Sequence, residues 1–291
     1  MLECVYFHLV FTLPAELREI VRANQKALYA VLLRAAAYSL LKLAADPKYV
    51  GAAIGMLAVL HTWTNAQLYH PHGHFLVPGI GITPDGKYRL SHGKKFLVPV
   101  KALSPIFRAR FMAMARKALP EVEFPTEVWQ KDWVVYAKPA VQGSDKVLRY
   151  LARYVHRIAI TNNRILSCEK GEVAFRYKLR RKVKKTWQSR WRTMTLTAEQ
   201  FMARFLQHVP PRGFHKVRYY GLWSPANRKL LKQIQLQLSS QVKINAAGDQ
   251  SNDTGHAGCP TSRCRFCKQG FMIVIGVIPR GGRHYPARSP P

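Results

Sequence analysis

Acidic residues are scarce in this 291-residue chain: 15 Asp and Glu stand against 46 Lys and Arg, giving a formal charge of +31. That imbalance calls for a polyanionic partner, nucleic acid first, because each phosphate neutralised by a side-chain cation releases condensed counterions. Cysteines are few and irregularly spaced, five in all with three crowded near the C-terminus, which argues against a disulfide framework and fits a reducing compartment. No Gly-Lys-Ser/Thr phosphate loop occurs, so ATP is not implied. Long apolar spans and basic amphipathic anchors are not evident either, since the apolar stretch Val5 to Leu13 is short and stops at Pro14. No membrane partner is expected, no internal repeat is visible, and the expected location is the cytoplasm, at the nucleoid.

With 48% hydrophobic residues, the chain can bury one full core and a small appended module. Cys4 to Phe11 reads as a strand, and Pro14 opens a helical pattern through Leu17, Ile20, Val21, Leu28, Val31 and Leu32 to about Ala45, with a break midway. Ile54 to Trp63 and Gly73 to Val77 read as strands, Lys87 to Leu90 with Lys95 to Val100 as an excursion hairpin, Ala102 to Leu119 as a helix, and Trp133 to Lys138 as a strand. Without the hairpin the order is β-α-β-β-α-β, which predicts an α+β fold with a ferredoxin-like antiparallel sheet and helices on one face. A helix from Ser144 to Arg157 is placed over the other face. A mixed β/α part follows: strands Ile158 to Leu166, Glu172 to Tyr177 and Arg192 to Leu196, the helix Thr197 to His208, the strand Lys216 to Tyr220, and a helix from about Pro225 to Leu238. The expected domain covers 1–240, with a linker at 241–257, a candidate small zinc knuckle at 258–279 and a disordered tail at 280–291.

Histidines at alternate strand positions point the same way, so His72 and His74 present two imidazoles to one divalent ion while Phe75 and Val77 face the helices. A third ligand is needed. His70 shares the parity but is set apart by Pro71, and His61 belongs to the expected neighbouring strand; the two weigh equally, with Gln67 behind. Mg²⁺ or Mn²⁺ suits such a site if the substrate supplies the remaining oxygens. On the Ser144 to Arg157 helix, Leu148, Leu151 and Val155 form the core stripe. Tyr150 and Tyr154 share another face beside Arg149, Arg153 and Arg157, an arrangement suited to attack on a phosphate held by guanidinium groups.

The run from Arg176 to Arg192 interleaves cations with aromatic rings. Arg180, Arg181, Lys182, Lys184, Lys185, Trp187 and Trp191 are therefore candidate DNA contacts, the rings stacking unpaired bases. A solvated hairpin tip is the competing reading. Near the C-terminus, Cys259, Cys264 and Cys267 offer three thiolates with His256 as a candidate fourth ligand for structural zinc. The second Cys pair usual in such sites is missing, so reduced thiols compete with zinc.

These segments together resemble the HUH endonucleases, and within them the two-tyrosine rolling-circle transposases of the insertion sequence 91 type. Tyr6-Phe-His-Leu-Val-Phe-Thr-Leu-Pro14, Leu60-His-Thr-Trp63, His70-Pro-His-Gly-His74, Val134-Val-Tyr-Ala-Lys138, the Tyr150/Tyr154 helix and Arg218-Tyr-Tyr-Gly-Leu222 carry the resemblance, over roughly residues 5 to 235. It implies a metal held by His72 and His74, Tyr150 and Tyr154 as nucleophiles, a 5′-phosphotyrosine intermediate with a free 3′-hydroxyl, and single-stranded transposon ends and target as substrates. Two departures stand out. Gly73 occupies a place usually held by a bulky apolar residue, which is expected to leave the core side of that strand unfilled. The cysteine-rich zinc-binding region with which such proteins commonly start has no counterpart before the first strand, so a shortened copy is expected. The competing functions are a rolling-circle replication initiator or relaxase, and a non-catalytic basic DNA-binding remnant.

Overall fold

The computed structural model describes residues 2, 4–91, 97–142, 155, 159–183 and 186–247. Strand β1 (Val5–Thr12) leads through a 3-10 turn (Ala15–Leu17) into helices α1 (Arg18–Ala23) and α2 (Gln25–Ala44). The break between the two helices is local. Asn24 leaves the helical region at φ −125° and ψ 45°, and both its backbone N–H and its side-chain amide donate to the Ile20 carbonyl at 3.1 Å. These bonds close α1 at Asn24, and α2 begins at the next residue, Gln25.

Strands β2 (Ala53–Trp63), β3 (Tyr69–Pro78), β4 (Ile80–Ile82) and β5 (Tyr88–Leu90) follow, then helix α3 (Val100–Ala118) and strand β6 (Val135–Gln142). A three-stranded antiparallel sheet is made by β7 (Ile165–Glu169), β8 (Glu172–Val183) and β9 (Thr186–Thr197), with helix α4 (Ala198–Leu206) beyond it. Strand β10 (Val217–Gly221) returns to the first sheet and α5 (Arg228–Ala247) follows. The first sheet is antiparallel throughout, in the order β5-β4-β2-β3-β1-β6, with β10 paired to β2. At the end of β10, Gly221 is left-handed (φ 60°), and a Cβ there would lie 2.0 Å from the Ile54 carbonyl oxygen, so no other residue fits without moving β2.

Helices α2 and α3 lie against one face of this sheet. Phe7, Leu9, Phe11, Phe75 and Val77 meet Leu28, Leu32, Ala36 and Leu40 of α2 and Leu103, Phe107 and Phe111 of α3 in one buried cluster. Its centre is aromatic: Phe11 meets Phe75 and Phe107 edge-on at 5.2 and 5.0 Å, and Trp133 meets Phe107 and Phe111 at 5.3 Å. Each such pair adds about 0.5–1.5 kcal/mol beyond the area it buries. The Trp133 indole N–H donates to the Val128 carbonyl at 2.9 Å, so its burial leaves no polar atom stranded.

Several expectations need correction. Helix α2 is long and apolar enough to cross a membrane by length and composition, a span the apolar count along the sequence passes over. Its side chains are mostly buried inside this domain, as in a core helix. The hairpin partner of Tyr88–Leu90 is Ile80–Ile82, and the described end of Lys95 to Val100 runs directly into α3. Ile158 to Leu166 is not one strand: a 3-10 turn at Asn162–Arg164 precedes β7. Helix α5 runs through Ala247, into the stretch read as linker. The place beside Gly73 is not empty either, because a Cβ there would meet the Phe75 ring at 2.9 Å and Leu33 at 3.1 Å. Phe75 folds back over the glycine and fills it.

The chain divides into two compact units, Met1–Gln241 and Val242–Pro291, and only the end of α5 is described in the second. His256, Cys259, Cys264 and Cys267 lie outside the described residues, as do Lys184 and Lys185. So do Arg149, Tyr150, Arg153, Tyr154 and Arg157; within 143–158 only Val155 is described, and it is helical.

Candidate metal centre and active site

The pleat of β3 divides its residues by parity. Tyr69, Pro71, Gly73 and Phe75 are buried, while His70, His72 and His74 are half-buried on the side away from the helices. Antiparallel pairing then brings a third imidazole across. His61 on β2 stands directly opposite His72, and directly opposed side chains share a face. The ligand atoms offered by His61, His72 and His74 all lie within 4.8 Å of one another. Three imidazoles at that spacing form a facial set suited to a divalent cation, with the solvent side left for other ligands.

The structure brings His72 and His74 together, and of the two candidate third ligands it places His61 beside them. His70 turns elsewhere: the Arg18 guanidinium donates to its Nδ1 at 3.2 Å, and burial followed by the Arg18 charge pushes its pKa below the usual imidazole value. Gln67 is buried in the β2–β3 turn at φ 58°, its carbonyl accepting a bond from His208 at 3.2 Å, and it is not among the three.

Hydrogen bonds from outside the trio fix its ring orientations. His72 Nδ1 lies 2.6 Å from the His70 carbonyl oxygen. A carbonyl only accepts, so that nitrogen carries the proton and Nε2 of His72 is the unprotonated nitrogen, the one with a lone pair for a cation. His74 Nδ1 lies 2.8 Å from His8 Nε2, the two rings stacked at 5.1 Å. Burial, then the charges of Lys138 and His61, hold His8 down at about 4. A neutral His8 whose Nε2 is unprotonated accepts the Nδ1–H of His74, and in that tautomer pair Nε2 of His74 is the nitrogen with a lone pair for a cation.

A cavity of about 710 Å³ opens over these groups, bounded by Trp63, Tyr136, Lys138 and Lys178 as well as the histidines. Trp63 stacks on His61 at 4.5 Å and 21°. Lys138 sits on β6 opposite His8, and Lys178 comes from β8. No carboxylate lines the cavity among the described residues. Imidazoles with two ammonium groups nearby make a place for an anion bridged to a cation, as a phosphodiester oxygen would be.

His8, Trp63, Lys138 and Lys178 were not singled out from the sequence. His8 had a usable signal, being the one strongly polar residue in the apolar run Val5 to Phe11, in the parity of Val10 and opposite to Phe7, Leu9 and Phe11. Among the candidate DNA contacts, Trp191 is described and is 55% exposed. Arg180, Arg181, Lys182 and Trp187 lie on described backbone of β8 and β9, with side chains outside the description.

The family described as "Y2_Tnp: Putative transposase" matches residues 55–230. Over 302 residues the chain is 38% identical to "Putative transposase y4qJ" of Sinorhizobium fredii (strain NBRC 101917 / NGR234), covering 96% of this chain and 75% of that protein. It is 26% identical over 242 residues to "Transposase for insertion sequence element IS801" of Pseudomonas savastanoi pv. phaseolicola, spanning 75% of this chain and about half, 54%, of that protein. A distant backbone likeness, at 12% identity and a TM-score of 0.33, links it to the metal-bound conjugative relaxase TrwC in complex with oriT DNA, over 81% of this chain and 72% of that chain.

Proposed function

We propose, since this chain belongs to the Y2 transposase family, that it nicks and transfers single DNA strands in rolling-circle transposition through a phosphotyrosine intermediate. The observation that carries this reading is the meeting of His61, His72 and His74, from two strands, under a cavity that also presents Lys138 and Lys178. We take β1, α2, β2, β3, α3 and β6 as a ferredoxin-like split unit, a reading supported by the strand order β2-β3-β1-β6. In this reading the protein works on DNA in the cytoplasm, at the nucleoid.

A divalent cation at the three histidines, Mg²⁺ or Mn²⁺ in this reading, would supply Lewis-acid stabilisation of charge on the attacked phosphate. The chain's own groups do the rest. Lys138 and Lys178 neutralise non-bridging oxygens and hold the phosphate over the cavity. His8 and the His70 carbonyl keep His74 and His72 in the tautomers that face the substrate. Tyr150 or Tyr154 is the nucleophile: its phenol gives its proton to water, its oxygen forms a bond to phosphorus, the bond from phosphorus to the 3′-oxygen breaks, and that oxygen leaves to become a 3′-hydroxyl on taking a proton from water. Attack by a 3′-hydroxyl on the phosphotyrosine reverses the exchange and joins a new strand.

The test is direct. Labelled single-stranded oligonucleotides incubated with the protein and Mn²⁺ are expected to give a covalent adduct on denaturing gels, lost in Tyr150→Phe or Tyr154→Phe and in His61→Ala. No adduct under any metal, with DNA binding retained, overturns the catalytic reading in favour of a binding protein. An adduct that depends on one tyrosine alone points to a single-nucleophile enzyme of the relaxase kind.

A further inference from the structure

The ribbon β8–β9 has two faces that differ in what they meet. Its register pairs Val173 with Leu196, Phe175 with Met194, Tyr177 with Arg192 and Leu179 with Arg190, which sets all of these on one side. That side is anchored on α4, where Phe175 meets Phe201 edge-on at 5.7 Å and Arg204 donates to the Met194 sulfur at 3.1 Å. The other side carries Arg176 and, directly opposed across the ribbon, Lys178 and Trp191.

On this second face the Trp191 ring lies under two cations, the Arg176 guanidinium at 5.6 Å and the Lys178 ammonium at 5.5 Å from its centroid, and it is 55% exposed. The Lys178 side chain also lines the histidine cavity, so the face leads into the site. Arg164 ties the two together: its Nε donates to the Arg176 carbonyl at 2.8 Å, and its Nη2 donates to the carbonyl of Asn65, itself part of the cavity wall. No Asp or Glu occurs between Val173 and Leu196, although nine Lys and Arg do.

We infer that the face of β8–β9 bearing Arg176, Lys178 and Trp191 is a track along which a single strand of nucleic acid enters the histidine cavity, its phosphates on the cations and one base stacked on the Trp191 indole. A half-exposed indole offers a flat platform, and only a strand with unpaired bases has a ring face free to occupy it away from its ends. Lys178 stands at the threshold, where the last phosphate on the track is also the first within the cavity. The inference takes its polymer, DNA, from the strand-transfer reading above, and its own content is the inequality of the two faces.

The test uses the full chain in EDTA, where no strand is cut, with a fluorescent oligothymidine of about 20 nucleotides followed by anisotropy over a salt series. Trp191→Ala is expected to weaken binding about tenfold with the salt slope unchanged, and Trp191→Phe to recover most of that loss. Lys178→Gln is expected to lower the salt slope by about 0.7. Arg190→Gln and Arg192→Gln, on the other face, are expected to leave the affinity near that of the parent, and a duplex of the same sequence to be indifferent to Trp191→Ala. Equal losses from both faces would mean that net charge alone holds the strand and would overturn the track, as would unchanged binding in Trp191→Ala. The two readings fail separately. If Mn²⁺ never yields an adduct but the face difference persists, strand transfer falls and the track stands; if adduct forms at the parental rate in Trp191→Ala and binding in that variant is unchanged, the reverse holds.

Discussion

The two faces of the central sheet are made from alternate residues of the same strands, yet one is packed against the helices and the other collects His8, His61, His72, His74 and Lys138. In β1 the packed side takes Phe7, Leu9 and Phe11, and the open side takes His8 and Val10. In β3 it takes Phe75 and Val77 against His72 and His74; in β6, Val135 and Ala137 against Tyr136 and Lys138. The apolar face is therefore what aims the polar one. A slip of one residue in any strand would carry its imidazoles into the core and its phenylalanines into water, at several kcal/mol per large side chain. Register, and with it the convergence of the three histidines, is held by hydrophobic burial on the side where no chemistry occurs.

Breaking the open face is expected to have the largest effect on activity and a small one on folding. His61→Ala or His72→Ala removes a ligand from the trio, and adduct formation with Mn²⁺ is expected to fall by about 10³-fold, corresponding to several kcal/mol of lost transition-state stabilisation. Chelation with EDTA should match it. Thermal unfolding of the metal-free protein should stay close to the parent. Unimpaired adduct formation in His72→Ala would remove the trio from the chemistry.

Breaking the packed face reverses the signature. Phe75 is fully buried, and its ring contacts Phe11 and covers Gly73. Phe75→Ala is expected to cost about 3–5 kcal/mol of stability, read as a lowered denaturant midpoint, while the fraction still folded keeps the spacing of the histidines. A folded fraction with normal stability but no metal binding would show that the two faces are not divided in this way.

Much of this division was legible beforehand because it is a matter of parity along one strand. The alternation in Tyr69 to Val77 places His72 and His74 together without reference to any other segment. What parity could not supply is the pairing between strands. The choice between His61 and His70 depends on His61 standing opposite His72 and on Arg18 drawing His70 away, and both are facts of tertiary register. Gly73 misled for the same reason: a missing side chain counts as a void only until a neighbour such as the Phe75 ring is known to lie over it. The β4–β5 hairpin was misjudged because Ile80–Ile82 is too short to rise above its surroundings, and Lys178 could not be placed at the cavity from a charge run alone.

A smaller effect on the open face is expected at His8, which touches the trio through one bond. His8→Phe keeps a flat ring in the pocket but removes the ring nitrogen that pairs with His74 Nδ1. Mn²⁺ affinity is expected to drop about 10-fold to 100-fold, with the maximal rate at saturating metal largely retained. Calorimetric titration of the metal separates this from a catalytic role. A rate that stays low at saturating Mn²⁺ would assign His8 to the chemistry instead of to the orientation of His74.

The smallest effect is expected at His208, which closes the gap between the sheet and the residues after α4. Its Nδ1 lies 3.2 Å from the Thr62 hydroxyl, next to His61 in β2, and its Nε2 donates to the Gln67 carbonyl at 3.2 Å. Burial lowers its pKa, partly opposed by the Gln67 carbonyl, so the folded chain resists a proton that the unfolded chain takes up near pH 6.5. Between that value and the lower folded pKa the unfolded state binds more protons, and stability falls as pH falls, by at most about 1.4 kcal/mol per pH unit for this one group. His8 and His70, also lowered, add slopes of the same sign. His208→Gln keeps a polar side chain of reach similar to the imidazole and cannot titrate, so its urea midpoint is expected to decline less than the parent's between pH 7.5 and 5.5. An identical decline in both would mean that His208 contributes nothing to the acid sensitivity of the fold.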